Sequence, residues 1–294
     1  MNIREKCKNL ISENISFIFY TPAVLWQVIF LYIPFFLILY SSISYKGVSG
    51  QVLGFENYRF LFDIDYVRII MRSAAIAFGV SFLCLMCAYP IAYYLALKVD
   101  NRWKNILLFL LTLPFWTNLL ILVYSWIFIF DHNGLINTFL CALGFIKEPL
   151  HLAHNIYAIM FVMFYYYVPF MIMPLYAILE KIQPDILEAS ADLGATHWQT
   201  FKRITIPLSM TGIKTGVLLV FVPAFGDFVI PSMIGGSRDL FVGSLITHYF
   251  LVVRDTGLGA AFTIISGIVL IACSLLFNWL CQASYNTSRK EPIL

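Results

Sequence analysis

The chain has 294 residues, 61% of them hydrophobic and only 12% charged. A soluble globular domain carries roughly 25% charged residues, so a protein that presents most of its surface to water is excluded. No nucleic-acid partner is expected. The charge is also clustered: residues 14–45, 73–97, 105–130, 149–179 and 256–288 contain no Asp, Glu, Lys or Arg. Each stretch meets the roughly 20 apolar residues that cross a bilayer core. None has the polar face of a helix lying on a water-soluble core. A sixth apolar stretch, 204–237, holds only Lys214 and Asp227. Lys214 reads as a snorkelling cation, while Asp227 is an acid that needs an explanation. The prediction is an all-α polytopic membrane protein, one transmembrane domain over 1–294. Its six transmembrane helices lie near 15–45, 70–97, 105–130, 154–180, 207–232 and 257–284.

Arg4, Lys6 and Lys8 precede the first apolar run. That run exceeds the 7–15 residues of a signal-peptide core, and no small-x-small cleavage site closes it. It is therefore read as an uncleaved first helix. Between the first two spans, Gly47, Gly50 and Gly54 with Phe55-Glu56-Asn57-Tyr58 predict turns, then a short amphipathic helix. The connection 131–153, with Asp131, Asn133, Gly134, Gly144 and Pro149, reads as turn-rich. Six cysteines are present, Cys7, Cys84, Cys87, Cys141, Cys273 and Cys281. Only Cys141 faces outward in this topology, so no disulfide framework is expected. Cys84 and Cys87 lie inside a span with no His nearby and read as small packing residues. No metal or cofactor is expected.

With both termini on the cytoplasmic side, twelve Lys and Arg fall inside and seven outside. That is the bias of a correctly oriented membrane protein. The loop Lys98–Lys104, with three cations among its four charges, is the best local witness.

The loop over residues 184–203 differs from the others. Asp185 sits where an N-cap would, with Glu188 three residues on, the spacing of a capping box. Ile186, Leu187, Ala189, Ala191 and Leu193 make a short apolar helix that Gly194 can end in the left-handed conformation. A second helix, His197 to Arg203, carries Trp198 and Phe201, and Pro207 starts a new element. Physical chemistry alone leaves two readings: a docking block with small residues at its tip, or an amphipathic connector on the membrane surface.

The block resembles the EAA motif of ABC importer permeases, in which Glu-Ala-Ala is followed at fixed spacing by Gly and by Ile-x-Leu-Pro. Here Glu188, Ala189 and Ser190 are followed by Gly194, Ile204, Ile206 and Pro207. Ser190 stands for the second Ala and Ile206 for Leu. The resemblance implies a type I ABC importer permease (MetI-like) architecture in a bacterial cytoplasmic membrane. It gives Glu188, Ala189, Ser190 and Gly194, with Asp192 and Leu193 between them, the role of a coupling helix that docks on a separate ABC ATPase subunit. It also implies a second homologous permease subunit and an extracytoplasmic substrate-binding protein. The chain has no G-x-x-x-x-G-K-[ST] phosphate loop of its own, so it is read as a transport subunit and not an enzyme.

Phe55-Glu56-Asn57-Tyr58, Pro114-Phe115-Trp116-Thr117-Asn118 and Pro223-Ala224-Phe225-Gly226-Asp227-Phe228 look like the spermidine/putrescine permease group. Related permeases for ferric iron, sulfate or opines share parts of these strings and stay open as alternatives. A polyamine path should combine carboxylate with aromatic faces. Asp227 lies 13 residues beyond Lys214, ~20 Å further along a helix. Pro223 and Gly226 nearby can break that helix. Asp227 is thus either a substrate contact or an interfacial cap or partner of an outer Arg. Trp116, Tyr124 and Tyr166 are aromatic candidates, with Trp116 and Tyr124 eight apart and expected on one helix face. Gly212 and Gly216 allow close helix approach, read as an interface with a second permease. An ATP-independent secondary transporter is the competing class. Against it stand the lack of a detectable inverted repeat and of a dense set of intramembrane acids.

Overall fold

A computed structural model describes residues 20–47, 50–236 and 240–288. Arg4, Lys6, Lys8 and Cys7 lie outside the described residues. Among those described, six helical stretches are long and apolar enough to cross a membrane. They are Tyr20–Ser42, Ile64–Leu97, Leu119–Ala142, Ile156–Leu179, His197–Gly226 and Thr256–Ala283. The last belongs to a helix that runs on to Ser288.

Several boundaries differ from the sequence reading. The second span starts at Ile64, not near 70; the cations Arg68 and Arg72 ride on its first turns. Residues 105–130 are not one helix. Asn101–Thr112 is α-helical, Leu113–Trp116 is a 3-10 turn, and a new helix runs from Leu119 to Phe130. Pro114 contributes no N–H to a helical ladder, and Asn118 Oδ1 accepts from Leu120 N at 2.8 Å to start the new helix. The connection after Phe130 contains a helix, Leu135–Ala142, where turns were expected. Asn137, 1% exposed, holds it by bonding to Asp131 O, Leu150 O and Leu150 N.

Contacts divide the chain into two units. The first comprises residues up to Asp63 together with His248–Ile265. After the first span comes an unpredicted hairpin, Ser44–Gly47 antiparallel to Gly50–Leu53, then the expected short helix Glu56–Leu61. The Phe55–Tyr58 string closes off the end of the span. Buried Asn57 donates to Ser42 O and Ser44 O at 3.0 and 2.9 Å, and the Tyr58 hydroxyl donates to Ser42 Oγ at 2.9 Å. Gly257 lies against the same loop, where a Cβ would fall 2.6 Å from Ser44 O. Asp255 Oδ1 caps the last span by accepting from Leu258 N.

The second unit comprises Ile64–Thr247 and residues from Ser266 on. Its core is the contact of spans two, four and five. Span two contributes the fully buried Ala77, Val80, Cys84, Ala88 and Ala92. Span four adds Ile159, Val162 and Leu175, and span five adds Val220 and Phe221. Phe221 meets Phe78 with ring centroids 4.3 Å apart. Lipid tails are as apolar as leucine, so close fit rather than water exclusion holds such helices together. Cys84 is one of these small packing residues; its thiol faces Phe164 O at 3.8 Å.

Gly212 and Gly216 serve the same fit, but within the chain. A Cβ at Gly212 would stand 2.9 Å from Pro174 O, and one at Gly216 would stand 2.6 Å from Met171 Sδ, both on span four. The close approach expected with a second permease is thus made to the neighbouring span.

Gly212→Val and Gly216→Val should each cost ~1–3 kcal/mol, the usual penalty of overpacking. Thermal unfolding in detergent should show a lower midpoint for both. Gly267→Ala, where nothing lies within 4 Å of the added carbon, should leave it unchanged.

Candidate functional site

Two places carry the residues singled out by sequence: the loop between spans four and five, and the break at the far end of span five.

In the loop, the first helix is Pro184–Asp192. Its N-cap is Gln183 and not Asp185, because Pro184 occupies the first helical turn and makes no demand for a capped N–H. The capping box forms instead at the second helix. There Thr196 Oγ1 accepts from Gln199 N, and Thr196 N donates to Gln199 Oε1 at 2.8 Å. Between them Gly194 has φ +82°. The Gly194 N–H reaches Ala191 O and the Ala195 N–H reaches Ser190 O, at 2.8 and 3.1 Å, which together end the helix in a Schellman turn. The second helix does not stop at Arg203. It passes through a π-helical turn, Phe201–Thr205, straight into Ile206–Gly226, so Pro207 lies within one continuous stretch.

The loop's side chains separate into two sets. Ser190 is buried, and its hydroxyl bonds to Leu187 O and to Thr200 Oγ1 at 2.8 and 2.9 Å, joining the two short helices. Glu188, Ala189, Asp192, Leu193 and Gly194 are exposed, and Leu193 is 89% exposed. Asp192, in the last helical turn, faces unfavourably placed carbonyls. An exposed leucine preceded by Asp192, on a turn braced from behind, is a rigid protrusion. The root of the first helix is also held. Lys104 donates to Ala96 O at 2.9 Å and stands 3.8 Å from Glu180 Oε1, which also accepts from the Tyr176 hydroxyl.

At the other place, span five stays helical to Gly226, through Pro223, and breaks at Asp227. A short helix, Val229–Ile234, follows. Asp227 Oδ1 accepts from Val229 N at 2.9 Å and Ile230 N at 3.4 Å. Asp227 Oδ2 accepts from the Tyr167 hydroxyl at 3.2 Å. The carboxylate is therefore a helix cap, but one that faces aromatic rings. Tyr166 meets Tyr167 at 5.1 Å, and Phe115 meets Phe170 at 4.8 Å and Tyr166 at 6.3 Å. Among the described residues, the hydrogen bonds shown for the Asp227 carboxylate come from Val229, Ile230 and Tyr167. The backbone here is tightly enclosed: a Cβ on Gly243 would lie 2.3 Å from Gly226 O. The segment that carries Gly243 is fixed by Val242 N donating to buried Ser73 Oγ at 3.0 Å.

The structure thus brings Tyr167 to Asp227, with Tyr166 and Phe170 beside Tyr167 and Phe115 against both Tyr166 and Phe170. Trp116 and Tyr124 are not part of this group. Trp116 is 76% exposed and meets Phe109. Tyr124 lines an open groove with Ile121, Ser125, Phe128, Ile129 and Leu135. They share no helix face, since the helix is interrupted between them. Tyr167 is the residue that sequence reasoning missed. Three consecutive tyrosines offer three directions around a helix, and only the packing of span four selects one.

Residues 88–287 match the family model of the binding-protein-dependent transport system inner membrane component. The chain is 38% identical over 257 residues to the spermidine/putrescine transport system permease protein PotB of Escherichia coli, covering 86% of this chain and 93% of that protein. It is 35% identical to the protein of that name from Haemophilus influenzae, with coverage of 86% and 88%. It is 32% identical to the inner membrane ABC transporter permease protein YdcU of E. coli over 76% of this chain and 75% of that one. In fold it is similar to a chain of a bacterial ABC transporter that imports the acidic polysaccharide alginate. The TM-score is 0.74 at 16% identity, over 95% of this chain and 99% of the other.

Gly194→Ala should destabilise the turn by ~1–2 kcal/mol, the cost of a left-handed residue with a Cβ, because no neighbour lies within 4 Å to add a steric clash. Hydrogen exchange should speed up at Gly194, Ala195 and the Pro184–Asp192 helix. It should stay unchanged in Ile156–Leu179.

Proposed function

This chain belongs to the family of binding-protein-dependent transport system inner membrane components, and we propose that it is the permease subunit of an ATP-driven importer that brings polyamines of the spermidine/putrescine class into the cytoplasm. It is a multi-pass inner membrane protein and a transport subunit, not an enzyme. The observation that carries the substrate class is the sustained identity to permeases named for spermidine and putrescine. The Asp227 group supports it chemically.

A polyamine is an extended polycation with methylene spacers. A carboxylate offers about four acceptor positions, and three bonds already orient that of Asp227. An acceptor position is left for an ammonium N–H. The rings of Tyr166, Phe170 and Phe115 supply the negative faces that attract ammonium groups and the apolar surface that receives methylenes. Gly226 and Asp227 interrupt the span, which is how backbone comes to line a path through a membrane. Span five stays helical from Lys214 to Gly226, so the carboxylate sits ~20 Å from the level of Lys214. With both termini cytoplasmic, that level faces the arriving substrate. Trp116 and Tyr124 would act, if they touch substrate, at stages other than the Asp227 contact.

The loop over residues 184–203 is the coupling element of the single permease domain. Its exposed Glu188, Ala189, Asp192, Leu193 and Gly194 dock on an ABC ATPase subunit, while Ser190 braces them from behind. Leu193 fills an apolar hollow in that partner, and Glu188 and Asp192 meet basic residues at its rim. A second permease subunit completes the path, and an extracytoplasmic binding protein delivers substrate. ATP-driven closure of the ATPase pair then moves the loops and exchanges outward for inward access.

The test is ATP hydrolysis by the full assembly in lipid, with its binding protein, as candidate solutes are added singly. Spermidine or putrescine should stimulate it, and ferric iron, sulfate and opines should not. Asp227→Asn keeps the shape and removes the charge. It should raise the half-saturating polyamine concentration tenfold or more, ~1.4 kcal/mol of lost attraction, with a smaller effect on the maximal rate. Stimulation only by iron or an anion would discard the polyamine reading. Uptake without any ATPase would discard the importer itself.

A further inference from the structure

The loop between spans four and five has a second root besides Glu180, and it is aromatic. The Phe201 ring stands edge-on to Tyr89 at 5.5 Å and to Tyr93 at 6.0 Å. Both tyrosines lie on span two, four residues apart, on one helix face. Trp198 stacks on Phe201 from the loop side at 5.6 Å. Eight residues after Phe201, buried Ser209 bonds through its hydroxyl to Tyr89 Oη at 2.8 Å. In an unbroken α-helix, residues seven apart lie ~20° from each other around the axis and residues eight apart ~80°. The π-helical turn Phe201–Thr205 absorbs about one extra residue, so Phe201 and Ser209 both face span two. Within that turn the Thr205 hydroxyl is buried with no hydrogen-bond partner among the described residues. π-turns of this kind are common at functional sites.

We propose that Phe201 is a positioning residue that transmits movement of the coupling loop to span two, through Tyr89 and Tyr93. The proposal rests on the reading of residues 184–203 as the ATPase-coupling element. The chain of contacts is continuous. Ser190 on the first loop helix bonds to Thr200; Thr200 is the neighbour of Phe201; Phe201 is wedged between the two tyrosines. Displacement of the Pro184–Asp192 helix therefore pulls the Phe201 turn against span two, and the π-helical turn is where span five yields. Lys104 holds the root of the first loop helix by standing 3.8 Å from Glu180 Oε1 and donating to Ala96 O at the end of span two, whereas Phe201 is the aromatic contact through which span two receives movement of the second loop helix.

The experiment is polyamine uptake and ATP hydrolysis measured together in proteoliposomes containing the whole assembly, for wild type, Phe201→Ala, Phe201→Trp and Tyr93→Leu. In Phe201→Ala the ATPase subunits should still copurify and basal hydrolysis should stay within about twofold of wild type. Polyamine stimulation should vanish, and uptake per ATP should fall at least tenfold. Phe201→Trp, which keeps an aromatic wedge, should retain most of the coupling. Tyr93→Leu, altered from the span-two side, should repeat part of the loss, and it decides the matter if Phe201→Ala fails to assemble. Unchanged uptake per ATP in an assembled Phe201→Ala or Tyr93→Leu complex overturns this proposal alone. Wild-type uptake that proceeds without ATP overturns the functional reading and this one with it.

Discussion

Hydrocarbon offers a backbone no hydrogen bonds, so each place where a helix breaks at membrane depth has to be repaired by the protein itself. The breaks in this chain are repaired by short polar side chains. Asn118 caps the helix after the Leu113–Trp116 turn, Asn155 caps span four, and Asp227 caps Val229–Ile234. Ser73 receives the Val242 N–H, and Asp255 receives that of Leu258. The proposed function depends on this same constraint. A span that runs unbroken exposes only side chains, whereas the recapped break in span five holds the Asp227 carboxylate. Asp227 does both tasks at once, since the carboxylate that closes the break is the one that faces the aromatic rings.

The Asp227 break lies at the end of a closely packed group of helices. Spans two, four and five meet through alanine, glycine and cysteine, and Gly212 and Gly216 leave no room for a methyl group against span four. Close fit of this kind transmits displacement instead of absorbing it. Span five runs from the 184–203 loop at one end to the Asp227 break at the other. Span four carries Tyr166 and Tyr167 on the way to Glu180 at the root of that loop. The two candidate places are thus the ends of the same pair of packed helices, and movement at one end has a short mechanical route to the other.

The loop itself is stiff where it needs to be. A capping box, a Schellman turn and the Ser190–Thr200 hydroxyl contact fix its two helices against each other. Leu193, nearly fully exposed, is left as the projecting point. The π-helical turn after it is the one irregularity between the loop and span five, and it sits where Phe201 meets span two.

Sequence by itself determined the number and class of the spans, because absence of charge over ~20 residues has one cheap solution, a helix in lipid. It also determined the turn at Gly194, since the left-handed conformation there asks for glycine, and a helix break near Asp227, although it offered Pro223 beside Gly226 and the helix runs on through Pro223. It did not determine which helix broke within 105–130, because hydropathy is blind to whether Pro114 bends a helix or ends one. Nor could it show that Gly212 and Gly216 meet span four of the same chain, that Thr196 and not Asp185 holds the capping box, or that Tyr167 rather than a neighbouring tyrosine reaches Asp227. Each of these depends on the angle at which one helix presents its residues to another. That angle is set by packing across residues far apart in the chain, as Tyr167 and Asp227 are, and local patterns of polarity carry no record of it.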